Sequence, residues 1–265
     1  MDNRLSLAQN IDNLFFRNDG ELWDEFDHLY KTLFSNSDVY IRVVEALNKK
    51  KSGLTRNEII RETGLPTNGH LSKVLNNLIL SGFVRAYEQY NKKKKDTVYQ
   101  LADYYTAFYL RFIKNRHGKD EHFWSNSGEN SSIKAWEGLT FEQVCKDHVS
   151  QIKRKLGISG VLTEVSTWSV KSDDKTGKAG AQIDMLIDRK DLIVDLCEIK
   201  FSVKEYEITK DYDLKLRNKL GTFLEVTNCR KTVQLIMITT YGVKQNMYSS
   251  VFTNQVILQD LFIEA

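Results

Sequence analysis

Two strand-like runs in the C-terminal half of the chain constrain its fold most strongly. They read AQIDMLID and LIVDLCEIKF, and only Arg189, Lys190 and Asp191 separate them. Two apolar runs joined by a short polar segment predict an antiparallel hairpin. Because side chains alternate along a strand, Glu198 and Lys200 must project to one face of the sheet and Cys197 and Ile199 to the other. A charge in such a strand needs either a partner or a chemical role.

A second acid, Asp184, is predicted to lie beside Glu198. If the hairpin is centred near Lys190 and Asp191, Asp184 falls within one residue of directly opposite Glu198. Facing side chains are roughly 5 Å apart at Cβ, and two carboxylates at that distance repel each other unless a proton or a cation lies between them. The pair therefore predicts a site for Mg²⁺ or Mn²⁺. The alternative is a structural ion pair between Glu198 and Lys200.

A third acid, Glu142, is predicted on a helix that runs from Trp136 to Leu156. It lies on the flank of the apolar stripe of that helix and can point at the same site. A metal bound there would polarise a phosphodiester and lower the pKa of a bound water, while Lys200 would neutralise developing charge. The set of Glu142, Asp184, Glu198 and Lys200 thus favours phosphodiesterase chemistry, with a metal held by oxygen ligands.

Residues 38–102 show a different pattern, in which three short helices precede two strand-like runs. Thr55 and Glu58 form a capping-box signature, and the last helix runs roughly from His70 to Ser81. This order predicts a winged helix-turn-helix. The outer face of the last helix and the hairpin tip then become candidate DNA contacts: His70, Lys73, Asn76, Asn77, Lys92, Lys93, Lys94 and Lys95. Alternatively, the lysines only keep a hairpin tip hydrated, or the unit docks a protein.

Length and composition complete the predicted organisation. A chain of 265 residues suggests two compact units. We expect an acidic helical segment at 1–37, the winged helix at 38–102, a bridging helix and linker at 103–135, and an α/β/α domain with a mixed sheet at 136–265. The overall fold class is therefore α+β to α/β. No apolar run approaches the roughly 20 residues of a membrane span, and MDNRLSLAQN lacks a secretory signal, so we expect a cytoplasmic protein with no membrane partner.

The helix-strand-strand order of Glu142, Asp184 and Glu198-Ile199-Lys200 resembles the PD-(D/E)xK nuclease superfamily. That resemblance implies a mixed sheet flanked by helices. It also implies that Asp184 and Glu198 ligate Mg²⁺, that Lys200 is the catalytic lysine and that Glu142 is the helix-borne acid. The sequence QID stands where the motif's name has Pro-Asp.

A wider resemblance covers essentially the whole chain. The winged helix followed by GLTFEQVC, GAQIDMLIDR, CEIKFS and TTYGVKQN resembles the C-terminal part of archaeal-type AAA-family ATPases. It implies that residues 1–37 are the end of an ATPase lid and that an ATPase domain or partner chain acts with this one. No GxxxxGK[ST] motif is present, so we expect no ATPase activity from this chain.

Two functions of different classes follow from these patterns. One is a Mg²⁺-dependent endodeoxyribonuclease module. The other is a non-catalytic DNA-binding or protein-interaction module with a degenerate nuclease fold.

Overall fold

The computed structural model describes residues 1–50, 52–92, 96–115, 120–128, 130–172 and 180–263. Lys93, Lys94 and Lys95, which were predicted to contact DNA, lie outside these ranges. The described chain is mixed α and β, which confirms the predicted fold class at that level. It divides into two compact units, the first formed by Met1–Tyr87 with Lys95–Ala135 and the second by Glu88–Lys94 with Trp136–Ala265.

The first unit is mainly helical and carries a small antiparallel sheet with the strand order β1-β3-β2. Its elements are α1 (Leu7–Phe15), α2 (Glu25–Leu33), α3 (Ser37–Lys49), β1 (Leu54–Thr55), α4 (Arg56–Thr63), α5 (Gly69–Leu80), β2 (Val84–Tyr87), β3 (Val98–Leu101) and α6 (Tyr104–Phe108). A π-helical turn, Tyr109–Ile113, continues α6.

The predicted capping box at the start of α4 is confirmed. The Thr55 N–H donates to the Glu58 carboxylate at 2.8 Å, and the Glu58 N–H donates to the Thr55 hydroxyl at 3.4 Å. The helix ends at Gly64, whose φ of +67° lies in the left-handed region that glycine adopts without strain. Both ends of α4 are thus set by local sequence.

Aromatic side chains form the core of the first unit. Phe26 stacks on Tyr109 with ring centroids 4.2 Å apart, and the buried Tyr30 hydroxyl lies 3.1 Å from the Thr106 hydroxyl. The aromatic segment that contains Thr106 and Tyr109 was predicted to bridge two domains. It packs into the first unit, where it covers α2.

The second unit is built on a five-stranded mixed sheet with the order β4-β5-β6-β7-β8. The first two pairings are antiparallel and the last two are parallel. Its elements are α7 (Ser131–Asp147), α8 (Val149–Lys155), β4 (Thr163–Val170), β5 (Ala181–Arg189), β6 (Ile193–Lys200), α9 (Lys210–Thr227), β7 (Thr232–Thr239) and β8 (Asn254–Ile257). The first turn of α7 belongs to the first unit.

Helices cover both faces of this sheet. On one face Phe141 and Cys145 of α7 and Ile152 of α8 pack with Cys197 and Ile199 of β6. On the other face Phe223 of α9 packs with Leu196 of β6 and Leu186 of β5. The alternation predicted for β6 is therefore confirmed, and even-numbered positions of β6 face α9.

The prediction of a single helix from Trp136 to Leu156 is wrong in two respects, the start of the helix and its continuity. It begins earlier, at Ser131, and it is interrupted at His148, whose backbone (φ −110°, ψ 31°) is not helical. The ring Nδ1 of His148 donates to the Val144 carbonyl oxygen at 2.8 Å, and the same carbonyl accepts the His148 backbone N–H at 3.2 Å. A side chain that hydrogen-bonds to the preceding turn competes with the regular helical ladder.

Within the described ranges, no helix combines the length and the apolar character that crossing a bilayer requires.

Candidate active site at the open end of the β5–β6 hairpin

The register of the β5–β6 hairpin brings the predicted acids together. Met185 pairs with Cys197 and Leu186 with Leu196, and Asp184 directly precedes Met185 on β5, where its Oδ2 accepts the Ile199 backbone N–H at 3.2 Å. The prediction had allowed an error of one residue. The side chains of Asp184 and Glu198 lie at the end of the hairpin away from its turn and line one cleft together with residues of α9.

Glu198 is buried, with 5% of its surface exposed, and both of its oxygens are engaged. Oε1 accepts hydrogen bonds from the Lys200 Nζ and from the Tyr212 hydroxyl, each at 2.8 Å. Oε2 accepts from the Lys219 Nζ at 2.5 Å. Burial raises the pKa of Glu198, but the positive charges of Lys200 and Lys219 outweigh it and hold the pKa below its ordinary value. The carboxylate is therefore ionised.

Asp184 lies in a less favourable environment for a charge. Its Oδ2 accepts the Ile199 backbone N–H at 3.2 Å, and the Lys200 Nζ is 3.9 Å away. Burial and the negative charge of Glu198 raise the pKa of Asp184. Burial lowers the pKa of Lys200, but Glu198 and Asp184 outweigh it and raise that pKa, so Lys200 is an ammonium.

Glu142 reaches this cluster from α7. Burial and the charge of Asp184 raise the pKa of Glu142 to about 7, and the charges of Lys200 and Glu198 also act on it. Glu142 thus changes protonation near neutral pH. Three of the four residues predicted for one site, Asp184, Glu198 and Lys200, lie together in the structure, and the charges of all three act on the pKa of Glu142.

Two further residues of the site, Tyr212 and Lys219, were missed from the sequence. Both belong to α9 and lie seven residues apart, which places them on one face of the helix. The Thr209 hydroxyl caps the start of α9, and Leu216 and Phe223 bury its inner side. Because polar residues at 212, 215, 219 and 222 recur at helical spacing, the pattern held a signal for a polar face directed at the site.

The cluster opens into a cleft of about 480 Å³. Carboxylates and ammonium groups share its walls with small polar residues. The residues around it are Gly180, Ala181, Gln182, Asp184, Glu198, Lys200, Lys215, Asn218, Lys219 and Thr222. The cleft is therefore large enough for an anionic group of the size of a phosphate to contact its lysines as well as its acids.

The chemistry of the donors fits Mg²⁺ or Mn²⁺. Asp184 and Glu198 offer only oxygen atoms, and Mg²⁺ takes one or two carboxylates while keeping several waters. Among the described residues, no three His, Cys, Asp or Glu side chains are already arranged to hold a metal ion. Since Lys200, Tyr212 and Lys219 occupy the oxygens of Glu198, at least one of these donors must move before a metal can bind.

The predicted DNA-contacting face of α5 is largely exposed. His70, Lys73 and Asn76 all lie on the surface. Asn77 differs, because its side-chain amide donates to the Tyr40 hydroxyl at 2.8 Å and so connects α5 to α3. Three of the four predicted side chains are therefore presented to solvent.

The hairpin tip after β2 differs from the sequence prediction. The first of the two strand-like runs predicted for the winged helix reads FVRAYEQY, but β2 ends at Tyr87, and residues 88–92 belong to the second unit. The Tyr90 N–H donates to the Thr167 carbonyl oxygen at 3.0 Å, and its ring lies 5.5 Å from that of Phe223. Burial of the Tyr90 ring thus outweighs continuation of the strand. Lys92 remains exposed.

Comparison of the chain with protein-family models, with curated proteins and with solved structures gives no match.

Proposed function

We propose that the second unit is a PD-(D/E)xK-like nuclease domain that hydrolyses phosphodiester bonds of DNA with Mg²⁺ or Mn²⁺. The observation that carries this proposal is the position of Lys200. Its Nζ lies 2.8 Å from Glu198 and 3.9 Å from Asp184, at the wall of an open cleft. An acid pair with an adjacent ammonium suits metal-assisted phosphodiester hydrolysis, because the acids can hold the metal and the ammonium can stabilise developing negative charge.

The residues of the chain take separate roles in this proposal. A divalent cation held by Asp184 and Glu198 would polarise the phosphodiester and lower the pKa of a bound water. Lys200 stabilises the negative charge that develops on the phosphate oxygens. Glu142, with a pKa of about 7, can accept or donate a proton at neutral pH. Tyr212 fixes the orientation of the Glu198 carboxylate through a 2.8 Å hydrogen bond.

The first unit is proposed to bind DNA as a winged helix-turn-helix. The order α3, α4, α5 followed by β2 and β3 supports this, and so do His70, Lys73 and Asn76 on the exposed face of α5. Replacing Lys73 with alanine should weaken DNA binding and reduce the salt dependence of binding by about one phosphate contact. Unchanged affinity and salt slope would remove α5 from the interface. We further propose that an ATPase domain or partner chain acts with this protein, on the resemblance alone.

A second candidate function is a non-catalytic DNA-binding or protein-interaction module. It is favoured by the saturation of Glu198, whose two oxygens are held by Lys200, Tyr212 and Lys219. A carboxylate that accepts hydrogen bonds from three donors is typical of a member of a structural ion-pair network rather than of a free metal ligand.

A cleavage assay separates the two candidates. Duplex, branched and single-stranded DNA would be incubated with Mg²⁺ or Mn²⁺ and either the wild type, Lys200→Ala or Lys190→Ala. We expect the wild type and Lys190→Ala to cut, because Lys190 pairs with Glu164 in the β4–β5 region and has no contact with the cleft. Lys200→Ala should lose roughly two to three orders of magnitude in rate.

The remaining outcomes also discriminate. If Lys200→Ala cuts as fast as the wild type, the role given to Lys200 is wrong. If no protein cuts any of the three substrates, the second candidate is the better description.

A further inference from the structure

We infer that Lys219 is an internal competitor for the divalent cation, so that its ammonium group must leave Glu198 before the metal can bind. This inference rests on the proposed function, because it concerns the same acid pair. It assigns to Lys219 a role that the resemblance to nucleases does not contain.

The hydrogen bonds of Glu198 carry the first step. Oε1 is shared by Lys200 and Tyr212, whereas Oε2 accepts from Lys219 alone among the described residues, at 2.5 Å. A divalent cation bound to Oε2 would lie in the space that the ammonium group fills. Two cations forced together in a largely buried site repel each other strongly, so the two states exclude one another.

The second step is that Lys219 can leave more easily than Lys200. Lys200 belongs to β6 and contacts both Glu198 and Asp184, whereas Lys219 contacts only Glu198 among the described residues. Its side chain is 21% exposed and borders the open cleft. Since Leu216 and Phe223 bury the inner side of α9, the flexible stem of Lys219 can rotate into the cleft without movement of the helix.

Lys215 provides a matched control on the same helix. It borders the same cleft one turn earlier and is exposed, and within the described part of the chain it has no carboxylate partner. Substitution of either lysine by methionine removes one positive charge and keeps the length of the side chain. Only the substitution at 219 removes a contact with Glu198.

The experiment measures metal binding directly and does not depend on catalysis. Mn²⁺ would be titrated into the full-length wild type, Lys219→Met and Lys215→Met, and free Mn²⁺ would be followed by electron paramagnetic resonance. We expect Lys219→Met to lower the dissociation constant by about tenfold or more, since a competing ion pair has been removed. Lys215→Met should change it by less than about twofold, because an exposed charge is screened.

Thermal unfolding followed by circular dichroism controls for folding. Lys219→Met leaves Glu198 with Lys200 and Tyr212, so the fold should persist. If Lys219→Met does not fold, Lys219→Gln is used in its place, because glutamine keeps a polar group at the cleft. Tighter Mn²⁺ binding by either variant supports the inference.

Other outcomes distinguish failure of the inference from failure of the proposed function. If wild type and Lys219→Met bind Mn²⁺ equally, and Asp184→Asn abolishes this binding, the inference is overturned and the metal site stands. If no variant binds Mn²⁺, both are overturned. If Lys219→Met binds more tightly but no protein cuts DNA, the inference stands and the proposed function fails.

Discussion

The two ends of the β5–β6 hairpin both carry charges, but the charges are arranged differently. At the turn end, every acid has a basic partner. Arg189 contacts Asp191 at 2.5 Å and Asp195 at 3.5 Å, Lys190 contacts Glu164 at 2.8 Å, and Lys231 contacts Asp188. Asp188 and Asp195 thus both lie beside bases.

At the cleft end, by contrast, one acid takes most of the positive charge. Glu198 binds both Lys200 and Lys219, while Asp184 is 3.9 Å from Lys200. Burial is the main cause that raises the pKa of Asp184 and of Glu142, and it also raises the pKa of Asp195 at the turn end. Hydrogen bonds from Arg189 and Lys190 hold the pKa values of Asp191 and Glu164, two other turn-end acids, below their ordinary range.

The cleft end differs from the turn end chiefly in the open cavity that lies beside its acids. Asp188, Asp191 and Glu164 at the turn end each have a close basic partner, whereas Asp195 is 1% exposed and its Oδ1 has no hydrogen-bond partner among the described residues. At the cleft end, buried negative charge remains incompletely compensated beside an open cavity. Groups kept in such an unfavourable state are characteristic of functional sites, because uncompensated charge costs stability.

The largest expected effect comes from the isosteric substitutions Asp184→Asn and Asp188→Asn, one at each end of the hairpin. Asp184→Asn should reduce cleavage by roughly two to three orders of magnitude. It should also stabilise the fold by about 1 kcal/mol, because it removes a buried charge that Glu198 repels. Asp188→Asn should leave cleavage unchanged and cost about 1 kcal/mol, because Lys231 loses its partner.

Urea denaturation and the cleavage assay measure these two effects on the same preparations. The two ends of the hairpin should respond with opposite signs in the free energy of unfolding. A loss of stability in both variants would show that Asp184 is a structural partner like Asp188, and the contrast between the two ends would disappear.

The second prediction concerns the pH dependence of stability in the absence of metal. Burial and Asp184 raise the pKa of Glu142 from 4.5 to about 7 in the folded protein. Between these values the folded protein holds a proton that the unfolded chain has lost, so stability is greater at low pH and falls as the pH rises towards 7. This group should contribute roughly 1–3 kcal/mol to that fall.

Glu142→Gln tests this dependence because glutamine stays neutral at every pH. Melting temperatures of the wild type and Glu142→Gln would be compared in EDTA between pH 4.5 and 8. We expect the two proteins to have similar stability near pH 4.5 and the wild type to fall progressively below the variant above it. Parallel curves would place Glu142 outside the influence of Asp184.

The hairpin and its acids could be predicted because their determinants are local. Alternation in AQIDMLID and LIVDLCEIKF, together with a three-residue connection, predicted the pairing of the two strands and the proximity of Asp184 to Glu198. The capping box of α4 was predicted for the same reason. Each depends on residues that are near one another in the chain.

The missed features depend on contacts between distant residues. Tyr212 and Lys219 follow Glu198 by 14 and 21 residues, in a helix whose polar face is typical of an ordinary hydrated surface. The break at His148 coincides with a ring hydrogen bond to the Val144 carbonyl oxygen and carries no glycine or proline signal. The Tyr90 contacts likewise appear only when β4 and α9 are in place.

The smallest effect is expected from Lys190→Met at the turn end. Lys190 and Glu164 form an ion pair with side chains that are 59% and 72% exposed, and such pairs contribute little because water and salt screen them. The melting temperature should therefore match that of the wild type within experimental error, at both low and high salt. Cleavage should also be unaffected, since the substitution lies away from the cleft. A clear loss of stability that salt does not reduce would mean that the turn-end pairs are not passive surface contacts, and the distinction between the two ends would then rest on the buried acids alone.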